Sequence, residues 1–284
     1  MSETQQIGVV SGVLNNRSIA YHIAQAMETT GIKVVYLVQD IHVPRVRKLL
    51  GEDATIIDYN ALDSAVVQAG ASSVAELYGQ IDYLVHSVAF SDKAQLEGSF
   101  LDMTKENFIN TMLISTYSFV EMCRAYRDVI KNGASVATLT FRGSEKVAAN
   151  YGPMGVAKAG LESAMRYIAQ ELGEREIRVN AIAPGPVKTL AASGIGEFDL
   201  SLYMGGLRSA IGRNSTAEEV GRTTLKLMQC EGITGAVLPV DNGIGDLVGM
   251  GTSPREKEAI NGFRDAERAK AKALKAESSP AENA

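Results

Sequence analysis

The sequence predicts an α/β fold with a doubly wound parallel sheet in a single domain, and two observations lead to that prediction. Short, continuous apolar runs alternate along the chain with longer segments in which apolar residues recur at helical spacing. Continuous apolar strands need helices over both faces of their sheet, which is the arrangement of a Rossmann-like fold. The 284 residues, 45% hydrophobic and 21% charged, are enough to bury a core of that size.

The apolar runs give the strands in order along the chain. The first is IGVVSG at 7–12, and the others are expected at 33–40, 54–59, 81–90, 134–141, 177–185 and 235–243. Helices are expected between them, among them 18–31, 105–130 and 154–174. Residues 1–250 are therefore expected to form one domain. Residues 251–284 are rich in Ala, Lys and Glu, and we expect a polar C-terminal tail that is partly helical or disordered.

Composition excludes several classes of function. The net charge is −5 without a long basic block, so nucleic acid is not an expected partner. Cys123 and Cys230 are isolated, which gives no disulfide framework and suits a reducing cytoplasm. The histidines are scattered, so no metal site is expected, and no apolar run has the length of a membrane span.

The turn after the first strand is a candidate phosphate site. In SGVLNNRSIA (11–20), Gly12 would allow a tight backbone turn, and Ser18 could cap the helix and hydrogen-bond a phosphate. In a doubly wound sheet this turn is where a pyrophosphate meets a helix N-terminus. The G-x-G-x-x-G pattern is absent, so a plain connection with Ser18 as the N-cap stays open.

The ends of the second and third strands bear on the choice of nucleotide. Gln39 and Asp40 end the second strand, and a neutral amide or an acid there suits a free ribose 2′-hydroxyl, which favours NADH over NADPH. Arg45 and Arg47 follow closely and could instead reach a 2′-phosphate. Asp58 ends the third strand, where it could accept from an adenine amino group or serve as a turn residue.

YGPMGVAK at 151–158 is the candidate catalytic segment. Seven residues span nearly two helical turns, so Tyr151 and Lys158 share a face, and Pro153 suits the first turn. Tyr151 would stand just ahead of the helix and lean over a pocket, while Lys158 could position a nicotinamide ribose. Taken singly, the two residues are as well explained as a core tyrosine and a solvated helix lysine.

Five motifs together resemble one family. G-x5-S-x-A near the N-terminus, HSVAF (86–90), Y-x6-K (151–158), RVNAIAPGPVKTLAASGI (178–195) and VDNG (240–243) occur in that order. The set is similar to the NADH-dependent enoyl-acyl-carrier-protein reductase branch of the short-chain dehydrogenase/reductase superfamily, over roughly residues 4–250. In this branch the tyrosine stands ahead of its ordinary position, which Met154 occupies here.

The resemblance implies a set of site residues. Tyr151 and Lys158 would be catalytic. The cofactor contacts would be Gly12, Ser18, Ile19, Gln39, Asp58, Ser87, Lys158 and Thr189. The acyl pocket would be lined by Phe90, Phe141, Met154, Ala191 and Phe198. Phe141 stands where many bacterial members carry a second tyrosine.

The implied activity is reduction of the trans-2 double bond of an enoyl thioester by NADH, as in type II fatty acid synthesis. The thioester would be carried by acyl carrier protein or coenzyme A, and the enzyme would be a cytoplasmic homotetramer with contacts through 105–130 and 154–174. Phe141 and the added tail leave open a pathway-specific reductase that acts on an unusual acyl chain or a ring enone. A non-catalytic NAD-binding protein is a further alternative, against which the intact Tyr151 and Lys158 count.

Overall fold

A parallel sheet organises the structure, a computed structural model that describes residues 5–190, 192, 198–245 and 254–278. Its strands are Ile7–Ser11 (β1), Lys33–Val38 (β2), Thr55–Asp58 (β3), Ile81–His86 (β4), Ile130–Leu139 (β5), Arg178–Pro184 (β6) and Val237–Val240 (β7). They pair in the order β3-β2-β1-β4-β5-β6-β7. This is the predicted doubly wound sheet, and the strand order reverses between β1 and β4.

Helices cover both faces of the sheet. They are Ile19–Thr29 (α1), Val43–Leu50 (α2), Ser64–Tyr78 (α3), Lys105–Met112 (α4), Ser118–Tyr126 (α5), Gly152–Leu172 (α6), Phe198–Arg208 (α7), Ala217–Gln229 (α8) and Pro254–Ser278 (α9). On one face the core contains Phe119 of α5 and Leu161 of α6, and on the other Ile23 of α1 and Leu225 of α8. Burying one such side chain contributes about 1.5–3 kcal/mol, so both faces hold their helices firmly.

The chain over 105–130 differs from the predicted single helix in two ways, one within the helix and one at its end. A π-helical turn at Leu113–Tyr117 separates α4 from α5. It is held from outside its own helix, because the Thr116 hydroxyl donates to the carbonyl of Ala157 on α6 at 2.8 Å. The strand β5 also begins at Ile130, earlier than predicted, because Ile130 pairs with Ile81 ahead of a register shift.

The helix α9 contacts α7 through its first residues. Glu256 pairs with Arg208 at 3.2 Å, and Arg255 donates to the carbonyl of Ser209 at 3.3 Å. No helix within the described ranges is both long enough and apolar enough to span a membrane.

Candidate active site

A cavity of about 500 Å³, here called the groove, runs along the carboxyl edge of the sheet. It is lined by residues that follow β1, β2, β3, β4 and β5, so it crosses the point where the strand order reverses. Ligands of open α/β sheets bind at this position. Seven of the residues predicted to bind a cofactor line it: Gly12, Ser18, Ile19, Gln39, Ser87, Lys158 and Thr189.

Gly12 is required at the start of the groove for two separate reasons. Its φ of +91° lies in the region that glycine adopts without strain. In addition, a Cβ added there would lie 2.0 Å from the carbonyl oxygen of Ser87. The chain leaving β1 can therefore pass against the chain leaving β4 only because position 12 has no side chain.

Ser18 occupies the N-cap position of α1, but its predicted capping bond is not formed. Its hydroxyl oxygen instead accepts from the backbone amides of Leu14 and Asn15, each at 3.2 Å. These two bonds shape the loop between β1 and α1. The hydroxyl hydrogen of Ser18 stays available for an acceptor in the groove.

The residues after β2 and β3 have different roles. Gln39 lines the groove, whereas Asp58 is not among the described residues that line it. The Asp58 carboxylate accepts from the backbone amide of Asp40 at 2.9 Å, and so it orders the turn that follows Gln39. Arg47 donates to the carbonyls of Glu52 and of Ala54, at 2.9 and 3.4 Å. Its guanidinium is thereby tied to the loop before β3.

A second cavity, of about 440 Å³, adjoins the groove and is here called the apolar pocket. Four of the residues predicted to contact substrate line it: Phe90, Phe141, Met154 and Phe198. The fifth, Ala191, lies outside the described residues. The groove and the apolar pocket share Ile19, Ala89, Phe90, Thr140, Lys158, Pro184 and Thr189. These shared residues form what we call the junction.

Tyr151 lines the apolar pocket at the start of α6, where it occupies the N-cap position. Its ring packs against Gly143, since a Cβ added to that glycine would lie 2.6 Å from the ring. Burial raises the pKa of the Tyr151 hydroxyl well above its usual value. The phenol is therefore protonated at neutral pH and can donate a hydrogen bond.

Lys158 reaches the junction from two turns further along α6. Its side chain is buried, and Nζ donates to the carbonyl of Leu139 at 2.7 Å. Burial lowers the pKa of Lys158 to about 8, although the negative charge of Glu162 acts in the opposite direction. The predicted pair therefore lies on one helix face, with Tyr151 at the apolar pocket and Lys158 between the two cavities.

Sequence reasoning missed Ser115, which fixes one wall of the junction. Its hydroxyl accepts from the amide of Phe90 at 2.9 Å and donates to the carbonyl of the same residue at 3.0 Å. The Ser115 side chain is fully buried in the π-helical turn between α4 and α5. The surrounding helical segment contains many other polar residues, so the sequence gives no specific signal for Ser115.

His86, within the HSVAF motif, is buried beneath the groove. The Ser118 hydroxyl donates its hydrogen to the backbone carbonyl of Ile114. The His86 ring must therefore donate from Nε2 to Ser118 Oγ, at 2.8 Å. Nδ1 then accepts from the Thr138 hydroxyl at 3.0 Å. Burial, assisted by the charge of Lys158, lowers the pKa of His86 to about 3, so the ring is neutral.

This fold and this pair of joined cavities are those of a dinucleotide-binding oxidoreductase of the short-chain dehydrogenase/reductase type. The chain belongs to the enoyl-(acyl carrier protein) reductase family, whose profile matches residues 12–245. The motif resemblance therefore led to the right family.

Individual relatives agree with this assignment. The enoyl-(acyl-carrier-protein) reductase (NADH) 1 of Rhizobium meliloti (strain 1021) is 44% identical over 86% of this chain and 91% of its own length. The crystal structure of the enoyl-(acyl-carrier-protein) reductase of Anaplasma phagocytophilum in complex with NAD superposes with a TM-score of 0.82, at 35% identity, covering 88% of this chain and 95% of its own. The Bacillus cereus enoyl-acyl carrier protein reductase, with NADP+ and an indole naphthyridinone, gives a TM-score of 0.82 at 34% identity, covering 87% of this chain and 99% of its own.

Proposed function

We propose that this protein reduces the trans-2 double bond of an enoyl thioester with NADH, as a step of type II fatty acid synthesis. The observation that carries the proposal is the placement of Tyr151 and Lys158. Tyr151 lines the apolar pocket, whose size suits an acyl chain. Lys158 lies at the junction between this pocket and the groove, which occupies the dinucleotide-binding position of the sheet. Family membership supports the same reaction.

The groove fits a dinucleotide. The loop that leaves β1 at Gly12 and reaches α1 at Ser18 lines the groove, so a pyrophosphate there can meet the backbone amides at the start of α1. Gln39 and Ser87 lie further along the lining, and Lys158 lies at the end that meets the apolar pocket. When bound, the reduced nicotinamide supplies the hydride that the β-carbon of the enoyl thioester accepts.

Tyr151 would act on the thioester oxygen. Negative charge develops on that oxygen as the double bond is reduced, and the protonated phenol can donate a hydrogen bond to it. A single preorganised donor of this kind is typically worth about 10²–10³ in rate. The raised pKa of Tyr151 keeps this donor intact at neutral pH.

Lys158 would hold the ribose hydroxyls of the nucleotide and favour the developing negative charge. Its backbone partner, the carbonyl of Leu139, fixes the position of the ammonium at the end of β5. The remaining lining of the apolar pocket, with Phe90, Phe141 and Phe198, would exclude water from the reacting bond.

NADH is favoured over NADPH by the groove itself. Gln39 lines the groove, and Arg47 does not place a positive charge beside it. The Arg47 guanidinium donates instead to the backbone carbonyls of Glu52 and Ala54. The Rhizobium and Anaplasma relatives are named with NADH and NAD, whereas the Bacillus cereus structure contains NADP+. The preference is therefore a property to be measured for this chain.

Acyl carrier protein is the proposed carrier of the substrate, in line with the names of the relatives.

We further propose a cytoplasmic homotetramer whose contacts run along α4, α5 and α6. Exposed apolar side chains on these helices support it, among them Phe108, Ile109 and Val156. Light scattering that shows a monomer at micromolar concentration would count against this assembly. The domain is proposed to end near residue 250, ahead of α9.

The decisive experiment is a substrate panel with the purified chain. We expect oxidation of NADH with crotonyl and longer trans-2-enoyl thioesters, on acyl carrier protein and on coenzyme A, and no oxidation with β-ketoacyl thioesters. The variant Lys158→Ala should bind NADH more weakly. Reduction of ring enones but not of enoyl thioesters would instead favour a pathway-specific reductase. Phe141, in place of a second tyrosine, is the residue that motivates this alternative. Failure with every acceptor, together with normal NADH binding, would favour the non-catalytic alternative.

A further inference from the structure

Behind the junction lies a group of buried polar side chains that the proposed chemistry does not use. Glu162 of α6 and Thr140, just after β5, are 5% and 4% exposed, next to Lys158 at 5%. Charged side chains are rarely buried to this extent unless they are paired. The burial of a lysine and a glutamate on one helix therefore needs a reason.

Two hydrogen bonds join the end of β5 to one turn of α6. Lys158 Nζ donates to the carbonyl of Leu139 at 2.7 Å, and the Thr140 hydroxyl donates to Glu162 Oε1 at 2.5 Å. The partners are adjacent on the strand and four residues apart on the helix. Leu139 lines the groove and Thr140 lines both cavities, so this pair of bonds sets the wall of the junction.

Two opposing effects act on the charge of Lys158. Burial disfavours the charged form of Lys158, and Glu162 is the acid that opposes this effect. The other titratable groups near Lys158 are His86 of β4, which feels the lysine charge and is neutral, and Tyr151, which lines the same apolar pocket and is protonated. Neither of them supplies a negative charge, so Glu162 is the source of it among these neighbours.

We propose that Glu162 is a positioning residue for Lys158, whose buried carboxylate, held by the Thr140 hydroxyl, keeps the lysine ammonium charged at the junction. The lysine in turn holds the nucleotide, and this part of the inference rests on the proposed function. Glu162 touches neither cavity and acts through Lys158, so a change at Glu162 must alter the titration of the lysine.

The matched variants are Glu162→Gln and Glu162→Asp. Gln keeps the size of the side chain and an oxygen that can accept from Thr140, but it lacks the charge, whereas Asp keeps the charge. The protonation of Lys158 can be followed without cofactor by competitive acetylation across a pH series, with mass spectrometry of the peptide that contains it. Residues four apart on a helix are neighbours, and a nearby opposite charge shifts a pKa by about 1–3 units, so Lys158 in Glu162→Gln should titrate at least about one pH unit lower than in the parent protein. Glu162→Asp should titrate close to the parent.

NADH binding gives a second readout. Fluorescence titration should show about tenfold weaker binding for Glu162→Gln near pH 8, with affinity restored near pH 6, where the lysine regains its proton. Equal losses in both variants at every pH, with an unchanged titration of Lys158, would show a purely structural role and overturn the proposal. If Glu162→Gln does not fold, Thr140→Val tests the same idea, because loss of the hydrogen bond should lower the titration of Lys158 in the same direction. Acetylation needs no enoyl substrate, so a parent protein that fails to reduce thioesters would refute the proposed function without affecting this test.

Discussion

The ring of Phe141 meets the ring of Tyr151 edge-on, with centroids 5.0 Å apart and planes inclined by 69°. Such pairs contribute about 0.5–1.5 kcal/mol beyond their buried area. Phe141 stands where the motif resemblance leads one to expect a second tyrosine, and it serves here as an apolar wall. The site therefore presents one phenolic hydroxyl on this wall of the apolar pocket, in place of two.

The first prediction concerns that hydroxyl. Tyr151→Phe keeps the ring and its packing but removes the donor, so kcat should fall by about 10²–10³. The dissociation constant of NADH should be nearly unchanged, because the proposed contact of the phenol is with the substrate oxygen and not with the nucleotide. The measurement combines steady-state rates on a crotonyl thioester with NADH fluorescence titration. Tyr167→Phe, on the exposed side of the same helix, is the control and should leave both values unchanged.

The fold was predictable because its signals are local. Most strands contain a continuous apolar run, and Gly31 follows the end of the first helix, so the sequence alone predicts these elements. The π-helical turn at Leu113–Tyr117 was not predictable in this way, because it depends on a bond from Thr116 to Ala157 on another helix. The missing cap of Ser18 has a similar origin, since the loop amides of Leu14 and Asn15 compete for the hydroxyl.

The geometry of the candidate site was predictable where its residues come from one segment of the chain. Tyr151 and Lys158 lie on a single helix, and their spacing alone brings them to one face. The bond between Thr140 and Glu162 joins residues 22 positions apart, on a strand and a helix whose packing no local pattern specifies. The placement of Asp58 beside the amide of Asp40 likewise depends on the pairing of β2 with β3.

The second prediction separates two reasons for a glycine at position 12, its positive φ and its close approach to the Ser87 carbonyl. Gly12→Ala places a Cβ 2.0 Å from the Ser87 carbonyl, so the groove must deform, and both NADH affinity and the melting temperature should fall sharply. Gly31→Ala is the matched control, because its φ is also positive, at +84°, but nothing lies within 4 Å of the added carbon. It should cost about 1 kcal/mol and leave NADH binding intact. Equal effects of the two substitutions would show that backbone strain alone, and not the crossing at Ser87, explains position 12.

The third prediction is a preference for NADH over NADPH in kcat/KM. A 2′-phosphate needs a cation beside the ribose, and Arg47 is bonded to the carbonyls of Glu52 and Ala54. Gln39→Arg should narrow the preference by supplying that cation at the groove. A preference of the parent protein for NADPH above about tenfold, equal to about 1.4 kcal/mol, would show that Arg45 or Arg47 reaches the nucleotide after all.

The fourth prediction concerns acid stability. His86 has a pKa of about 3 in the folded chain, far below its ordinary value, so the unfolded chain takes up its proton first as the pH falls. Stability contributed by the neutral ring is thus complete above about pH 6.5 and is lost progressively below it, by up to about 1.4 kcal/mol per pH unit. Denaturant unfolding of His86→Gln should show a shallower loss between about pH 6 and pH 5 than the parent protein.

The fifth prediction concerns the tail. A chain that ends at Met250 should keep its fold and its NADH affinity, because α9 contributes to neither the groove nor the hydrophobic core among the described residues. It loses the pair between Arg208 and Glu256 and the bond from Arg255, which hold the end of α7. Because α7 lines the apolar pocket through Phe198, the KM for the acyl thioester should rise while kcat changes little.

The size of that effect follows from the exposure of the contact. Arg208 is half exposed, and a pair of this kind contributes about 0.2–1 kcal/mol, so the rise in KM should be at most about fivefold. Glu256→Gln should reproduce part of it. Asp265→Asn removes a comparable pair with Arg268 that lies within α9 itself, and it should therefore leave KM unchanged. Equal effects of the two point variants would show that the whole helix, and not its contact with α7, acts on the pocket. Dissociation of the truncated protein in light scattering would show instead that α9 docks on a neighbouring subunit.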